Sequence, residues 1–179
     1  PEHAEKIWSY FKTVEIAFSI DDENERFEYQ RTNALWSEVN KNIVKFKDLQ
    51  ARNGNVVLQV CSTVNVFNVM YLEGLANWID SIGFDFVYWN MLHQNYYHCV
   101  ASLPDKAKAV AIDKLSKADV SQYHRSEFNK IIDFIEAGTS LDGELLRTKT
   151  ADVDWRRKQD LRDHHPELAD AIDYEGPRI

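Results

Sequence analysis

The sequence predicts an α/β fold: a partial (β/α) barrel of about three parallel strands with helices, followed by a helical C-terminal extension. Two short runs alternate apolar and polar residues with the period of two that belongs to a strand. In the first, Val14, Ile16, Phe18 and Ile20 alternate with Glu15, Ala17, Ser19 and Asp21; in the second, Val56, Leu58, Val60, Ser62 and Val64 alternate with Val57, Gln59, Cys61, Thr63 and Asn65. An amphipathic helical stretch follows each run, so the two strands are expected to lie parallel with their apolar sides under helices. Their polar sides must then face a cavity or a missing half of the fold. Parallel sheets are normally covered on both faces, and a barrel is the arrangement whose inner face tolerates a polar chamber. A barrel section therefore fits better than a small free-standing sheet.

Residues 3–12 read as the end of a helix, with Ile7 and Phe11 at i, i+4 spacing. The first strand covers residues 14–21 and runs into a charged turn, Asp22-Glu23-Asn24-Glu25. Leu35, Val39, Ile43, Phe46 and Leu49 mark one face of a long helix stopped at Asn53-Gly54. The second strand covers residues 56–65. A helix carrying Met70, Leu75, Ile79 and Ile82 then ends at Gly83, and an aromatic and β-branched third strand covers residues 84–91. This order specifies right-handed parallel crossovers.

After Leu92 the pattern is mostly helical. Leu103-Pro104-Asp105 opens a helix whose buried side is Ala107, Val110, Ala111 and Leu115. Phe128, Ile131, Ile132 and Ile135 define another that ends at Gly138. Residues 148–163 read as a polar helix, and Pro166 opens a short last one containing Leu168 and Ile172. With no repeat and no linker, two regions are expected: residues 1–93 as the barrel half and residues 94–179 as a helical extension packed on it.

The 179 residues suit one domain, and 44% hydrophobic, 28% charged and 12% aromatic content describe an ordinary globular chain. The net charge of −8 argues against a broad nucleic-acid surface, so no nucleic-acid partner is expected. No stretch is long and apolar enough for a membrane span and the first residues are not a signal peptide, so a cytoplasmic setting without a membrane partner is the expectation. Cys61 and Cys99 form neither a disulfide framework nor a thiolate metal site. The opening Pro1 reflects either a removed initiator Met or a sequence cut from a longer one.

Several polar groups have ordinary readings. His93, His98 and Cys99 flank the loop Gln94-Asn95-Tyr96-Tyr97 and lack metal-ligand spacing, which favours loop packing over a metal or a substrate mouth. The acidic group Asp21-Asp22-Glu23-Glu25 lacks EF-hand spacing and reads as a solvated turn. His164-His165 reads as an exposed helix-start pair, and Asp154-Trp155-Arg156-Arg157-Lys158 as a polar helix face.

The stretch from Val14 to Asp21, with Glu25-Arg26-Phe27-Glu28-Tyr29-Gln30-Arg31 after it, resembles the fourth strand of radical S-adenosylmethionine (SAM) enzymes, above all the SPASM/twitch-type branch. The order continues with Trp36 and Asn42-Ile43, Thr63-Val64-Asn65, Asn68, Asn90-Met91-Leu92-His93, Leu103-Pro104 and Pro166-Glu167-Leu168. The resemblance covers most of the chain and rests on the order of motifs that are individually weak. Where the family usually carries Gly after the strand's Asp, this chain has Asp22. The C-x-x-x-C-x-x-C motif that holds the [4Fe–4S] cluster is not in this sequence.

The resemblance implies a SAM site at Ser19, Asp21, Arg31 and Asn65, with Ser19 and Asp21 toward the ribose and Arg31 toward the methionine carboxylate. Read from the residues alone, Ser19 and Asp21 are a cap or Asx-turn pair, and Arg31 an ion-pair partner of Glu28 or Asp21. Glu15, Gln59, Asn90 and His93 are the implied substrate contacts. The implied cofactors are SAM and a [4Fe–4S] cluster whose ligands lie outside this chain, in the missing N-terminal half of the barrel. The full protein would generate a 5′-deoxyadenosyl radical to modify a peptide or small-metabolite substrate, and this chain alone would be inactive. A non-catalytic ligand- or partner-binding module derived from such a barrel is the alternative. An acid–base or metal-dependent enzyme using Asp21, Asp85 and His93 is the remaining one.

Overall fold

The computed structural model describes residues 2–177 and shows an α/β chain built on one three-stranded parallel sheet. Helix α1 (Glu2–Trp8) leads into β1 (Val14–Ser19); α2 (Asn24–Gln30) and α3 (Trp36–Arg52) connect it to β2 (Val56–Val64), and α4 (Leu72–Ile82) connects β2 to β3 (Phe86–Met91). The strands lie in the order β1-β2-β3. Two short 3₁₀ turns then precede α5 (Asp105–Lys117), α6 (Gln122–Ala137), α7 (Glu144–Arg157), α8 (Leu161–His164) and α9 (Pro166–Ala171).

The alternation of each strand becomes a two-faced sheet through its register. Val14 stands opposite Val56, Ile16 opposite Leu58 and Phe18 opposite Val60, so apolar side chains line up under the helices. On the other face Ala17, Gln59 and Phe86 share one row, Ser19, Cys61 and Tyr88 the next, and Thr63 and Asn90 a third. That face is open: Phe86 is 56% and Tyr88 49% exposed, although both are large aromatics. One buried cluster runs from Ile20, Val60 and Val64 to Phe128, Ile135 and Leu168, joining the strands to the C-terminal helices. Leu49, Val56 and Leu58 form a smaller cluster with Trp8 and Phe46 against it.

Local chemistry explains where the elements start and stop. Gly83 takes the left-handed conformation (φ 72°) that closes α4, as a C-terminal glycine does. Glu28 reaches from α2 to accept the Trp36 N–H at 2.7 Å, capping α3 from outside its own sequence. At the far edge of the sheet the buried His124 links three elements: its Nδ1 accepts from Trp89 Nε1 at 3.2 Å, so its Nε2 carries the proton toward Asp80 at 3.0 Å.

Four expectations change. The charged turn after β1 opens a helix, α2, and its left-handed residue is Asn24 (φ 54°) rather than Asp22. Leu35 is the exposed residue that precedes α3, so its buried face begins at Trp36. The polar helix over 148–163 is two helices, because Lys158 adopts φ 55° and breaks the run. In α5, Lys108 is buried, its ammonium donating to the Gly138 carbonyl at 2.9 Å.

Gly138 also makes the tightest backbone approach: a Cβ there would stand 2.3 Å from the Ala101 carbonyl oxygen. Gly138→Ala should therefore lower the unfolding free energy by about 1–3 kcal/mol through overpacking. Gly54→Ala, which meets nothing within 4 Å, should stay within about 0.5 kcal/mol of wild type in the same urea titrations. Equal midpoints for the two variants would contradict the close approach.

Candidate functional site

The C-terminal ends of parallel strands form a rim where backbone groups run out of ladder partners, and ligands of open α/β sheets collect there. Here the residues past the three strands, Asp21, Asn65 and Leu92, border one cavity of about 570 Å³, closed on the other side by α7. That volume lies within the range of small-molecule sites. Arg31, which follows α2, and Phe67 and His98 also line it.

The rim is held by a short polar network. Asp21 accepts the Thr63 N–H at 2.7 Å through one carboxylate oxygen and Arg31 Nη2 at 2.6 Å through the other. Asn68, fully buried, donates its amide to the carbonyls of Asp21 (2.7 Å) and Thr63 (2.9 Å) and accepts the Asn65 N–H at 2.8 Å. Asn65 in turn accepts the Phe67 N–H at 2.9 Å, an Asx turn, and donates to Gln30 at 3.2 Å. The β1 and β2 ends are thereby stitched together by side chains. Arg31 Nε is buried and has no partner, a guanidinium donor left over at the cavity wall.

Three of the residues implied in a cofactor site, Asp21, Arg31 and Asn65, thus meet at one cavity. The Arg31–Asp21 pair is also the ion pair that the residues alone allow, so Asp21 is committed to structure as well as poised at the site. Ser19 lies two residues back along β1 on the same face and is exposed. Asn90 stands opposite Thr63 near the rim. Gln59 lies mid-sheet between Ala17 and Phe86. Glu15, six positions before Asp21, is about 20 Å from it along an extended strand, too far to share a small ligand. His93 is outside the cavity lining, its ring edge-on to Phe134 at 5.1 Å, whereas His98 lines the cavity and burial pulls its imidazole below the usual range.

Helix α7 supplies the wall that the sequence reading left out. Lys149, Thr150, Val153, Arg156 and Arg157 lie at helical spacing on one side of it and all border the cavity. Asp154, read as part of a polar face, is fully buried and holds the helix in place. It accepts from the hydroxyls of Tyr29 (2.9 Å) and Tyr174 (2.6 Å) and from the Leu161 N–H (2.8 Å). Burial, together with that carboxylate, holds both phenols well above their ordinary range. No sequence period announces Asp154; three donors from distant elements converge on it only in the fold.

Two further readings are corrected. Asp22 is no solvated turn residue: it is 1% exposed, accepting from the Glu23 N–H and Arg26 Nε, and burial outweighs Arg26 to push its carboxyl up to about 7. His165 is not exposed but fully buried among Tyr29, Phe67 and Tyr71, with neither ring nitrogen partnered. Burial, with Arg26 and His164 adding to it, pushes its imidazole down to about 3.

Among the described residues no group of three or more His, Cys, Asp or Glu side chains is placed to hold a metal ion. Cys99 is buried and Cys61 sits on the sheet, so a [4Fe–4S] cluster finds no ligand set on this chain. No helix among the described residues is long and apolar enough to cross a membrane. No protein-family model, curated protein or solved structure matches the chain.

Asp22 and His165 oppose each other in their dependence on pH. Between about pH 4 and about pH 7 native Asp22 keeps a proton that the unfolded chain releases, so its contribution falls as pH rises. Between about pH 3 and about pH 6.5 the unfolded chain protonates His165 and the native one does not, so its contribution rises with pH. Relative to wild type, Asp22→Asn should gain stability from about pH 4.5 to about pH 6.5 and His165→Phe should lose it, as read by urea midpoints. Variant curves parallel to wild type would refute both assignments.

Proposed function

We propose that this chain is the C-terminal half of a radical SAM barrel of the SPASM/twitch type, contributing SAM- and substrate-binding strands to the full protein. The observation that carries the reading is the convergence of Asp21, Arg31 and Asn65 on one cavity at the C-terminal rim of parallel strands. The open face of the sheet supports the barrel part of it. Exposed Phe86 and Tyr88, in the sheet rows of Gln59 and Ser19, suit a lumen wall better than a solvent face.

The residues fit SAM in the following roles. Arg31 holds the amino-acid carboxylate through the exposed part of its guanidinium while its Nη2 stays on Asp21, so the pair orients the guanidinium before ligand arrives. Asn65 on the cavity wall and Ser19, exposed two residues back along β1 and outside the cavity lining, face the ribose side, and Asn90, opposite Thr63, flanks the adenine or the substrate. Gln59 faces the lumen below them, and Glu15 serves a substrate reaching deeper into the barrel. SAM at a reduced cluster would supply hydrogen-abstraction chemistry; the part of this chain would be to bind and orient it. The cluster ligands would have to come from outside this chain. A ligand-binding module without catalysis uses the same cavity, and the two-cysteine sequence favours it for the chain in isolation.

Isothermal titration of the chain with SAM tests the reading. Arg31→Ala removes a charge-assisted hydrogen bond and should weaken binding by about ten- to a hundredfold. Ser19→Ala should cost about three- to tenfold. Affinity unchanged in both variants, or no SAM binding by wild type, would overturn the assignment.

A further inference from the structure

We propose that the α7 wall of the same cavity is an oxyanion site, so that the substrate brought to the rim carries a phosphate group. The inference deepens the proposed function and rests on it for the word substrate; the anion site itself stands on separate residues. The chain carries a net charge of −8, yet this cavity is lined by four cationic side chains, Arg31, Lys149, Arg156 and Arg157, against one carboxylate, Asp21. Asp21 is already paired with Arg31, and Arg156 with Asp152 at 3.7 Å. Among the described residues Lys149 pairs with no carboxylate, and Arg157 donates only to the Tyr29 carbonyl, at 3.3 Å. Two positive charges therefore remain unneutralised on one wall.

Thr150 is the independent sign of a ligand. It borders the cavity between those cations, it is 3% exposed, and its hydroxyl oxygen has no hydrogen-bond partner. A buried hydroxyl left unpaired costs about 1–3 kcal/mol, so such groups in native structures call for a partner. A ligand oxygen satisfies it and accepts from Lys149 and Arg157 at the same time. A dianionic phosphate matches the combination of a compact ammonium, a guanidinium fork and a hydroxyl donor. The position of the wall is imposed from beneath: Asp154, next in sequence to Val153, is locked by Tyr29, Tyr174 and Leu161. The cations are thus presented by a fixed helix that lines the same cavity as Arg31.

Calorimetric titration with inorganic pyrophosphate, with succinate as the carboxylate counterpart, provides the test. Wild type should bind pyrophosphate, more tightly at about 50 mM than at about 300 mM NaCl, and succinate at least about tenfold more weakly. Lys149→Gln/Arg157→Gln should weaken pyrophosphate at least about tenfold while leaving SAM affinity within about twofold, since neither residue is assigned to SAM. Thr150→Val keeps the shape and removes the unpaired hydroxyl, so its melting temperature should equal or exceed that of wild type, which rules out a folding artefact, and it should weaken pyrophosphate severalfold. Failure of wild type to bind pyrophosphate, equal affinity in the double variant, or succinate binding as tightly would overturn the phosphate site. Loss of SAM binding with the pyrophosphate pattern intact would overturn the radical SAM reading and leave this site standing.

Discussion

Everything at the rim depends on one buried amide. Parallel strands that stop together leave carbonyls and N–H groups with no ladder partner, and Asn68 satisfies three of them, from Asp21, Thr63 and Asn65. Each such group costs about 1–3 kcal/mol if left unmade in a buried place, so the network fixes the strand ends with little freedom. Asp21 completes it by taking the Thr63 N–H and anchoring Arg31. The groups assigned to ligand binding are therefore positioned before any ligand is present, which spares the ordering cost of binding.

The opposite wall is set by the same physics with a charge in place of an amide. Asp154 is fully buried on α7, and its carboxylate is tolerated because Tyr29, Tyr174 and Leu161 donate to it. Those donors belong to α2, the C-terminal tail and α8, so one carboxylate ties the α7 wall to the strand side of the cavity. His165, fully buried in the adjoining aromatic cluster with both nitrogens unpartnered, is the expensive member of this region. Together the two walls create a local positive site on a chain of negative net charge.

Period-two alternation marked β1 and β2 and their two faces, aromatic and β-branched enrichment marked β3, and the helices between the strands specified the parallel order that the register shows. The left-handed close of α4 at Gly83 was legible for the same local reason. Asp21, Arg31 and Asn65 were singled out by the family resemblance and not by the pattern, and the structure places all three on the lining of one cavity. What stayed hidden depends on tertiary contact. Asp154 and His165 sit in stretches whose neighbours are charged, and their burial follows from partners as far away as Tyr29. Lys149, Thr150 and Arg157 show helical spacing, but nothing in that spacing says that the face they occupy meets the strand ends. The helix α2 was obscured by its acidic start, where Asp22 is drawn inside by Arg26 and Gln30.

Amide hydrogen exchange with and without saturating SAM addresses the rim site most directly, because it reports position as well as binding. Slower exchange is predicted at the Thr63, Asn65 and Phe67 amides, which the Asp21–Asn68–Asn65 network holds, and at Arg31, whose N–H bonds to Phe27. Protection confined to the N-terminal ends of the strands, or none at the rim under conditions where SAM is bound, would contradict it.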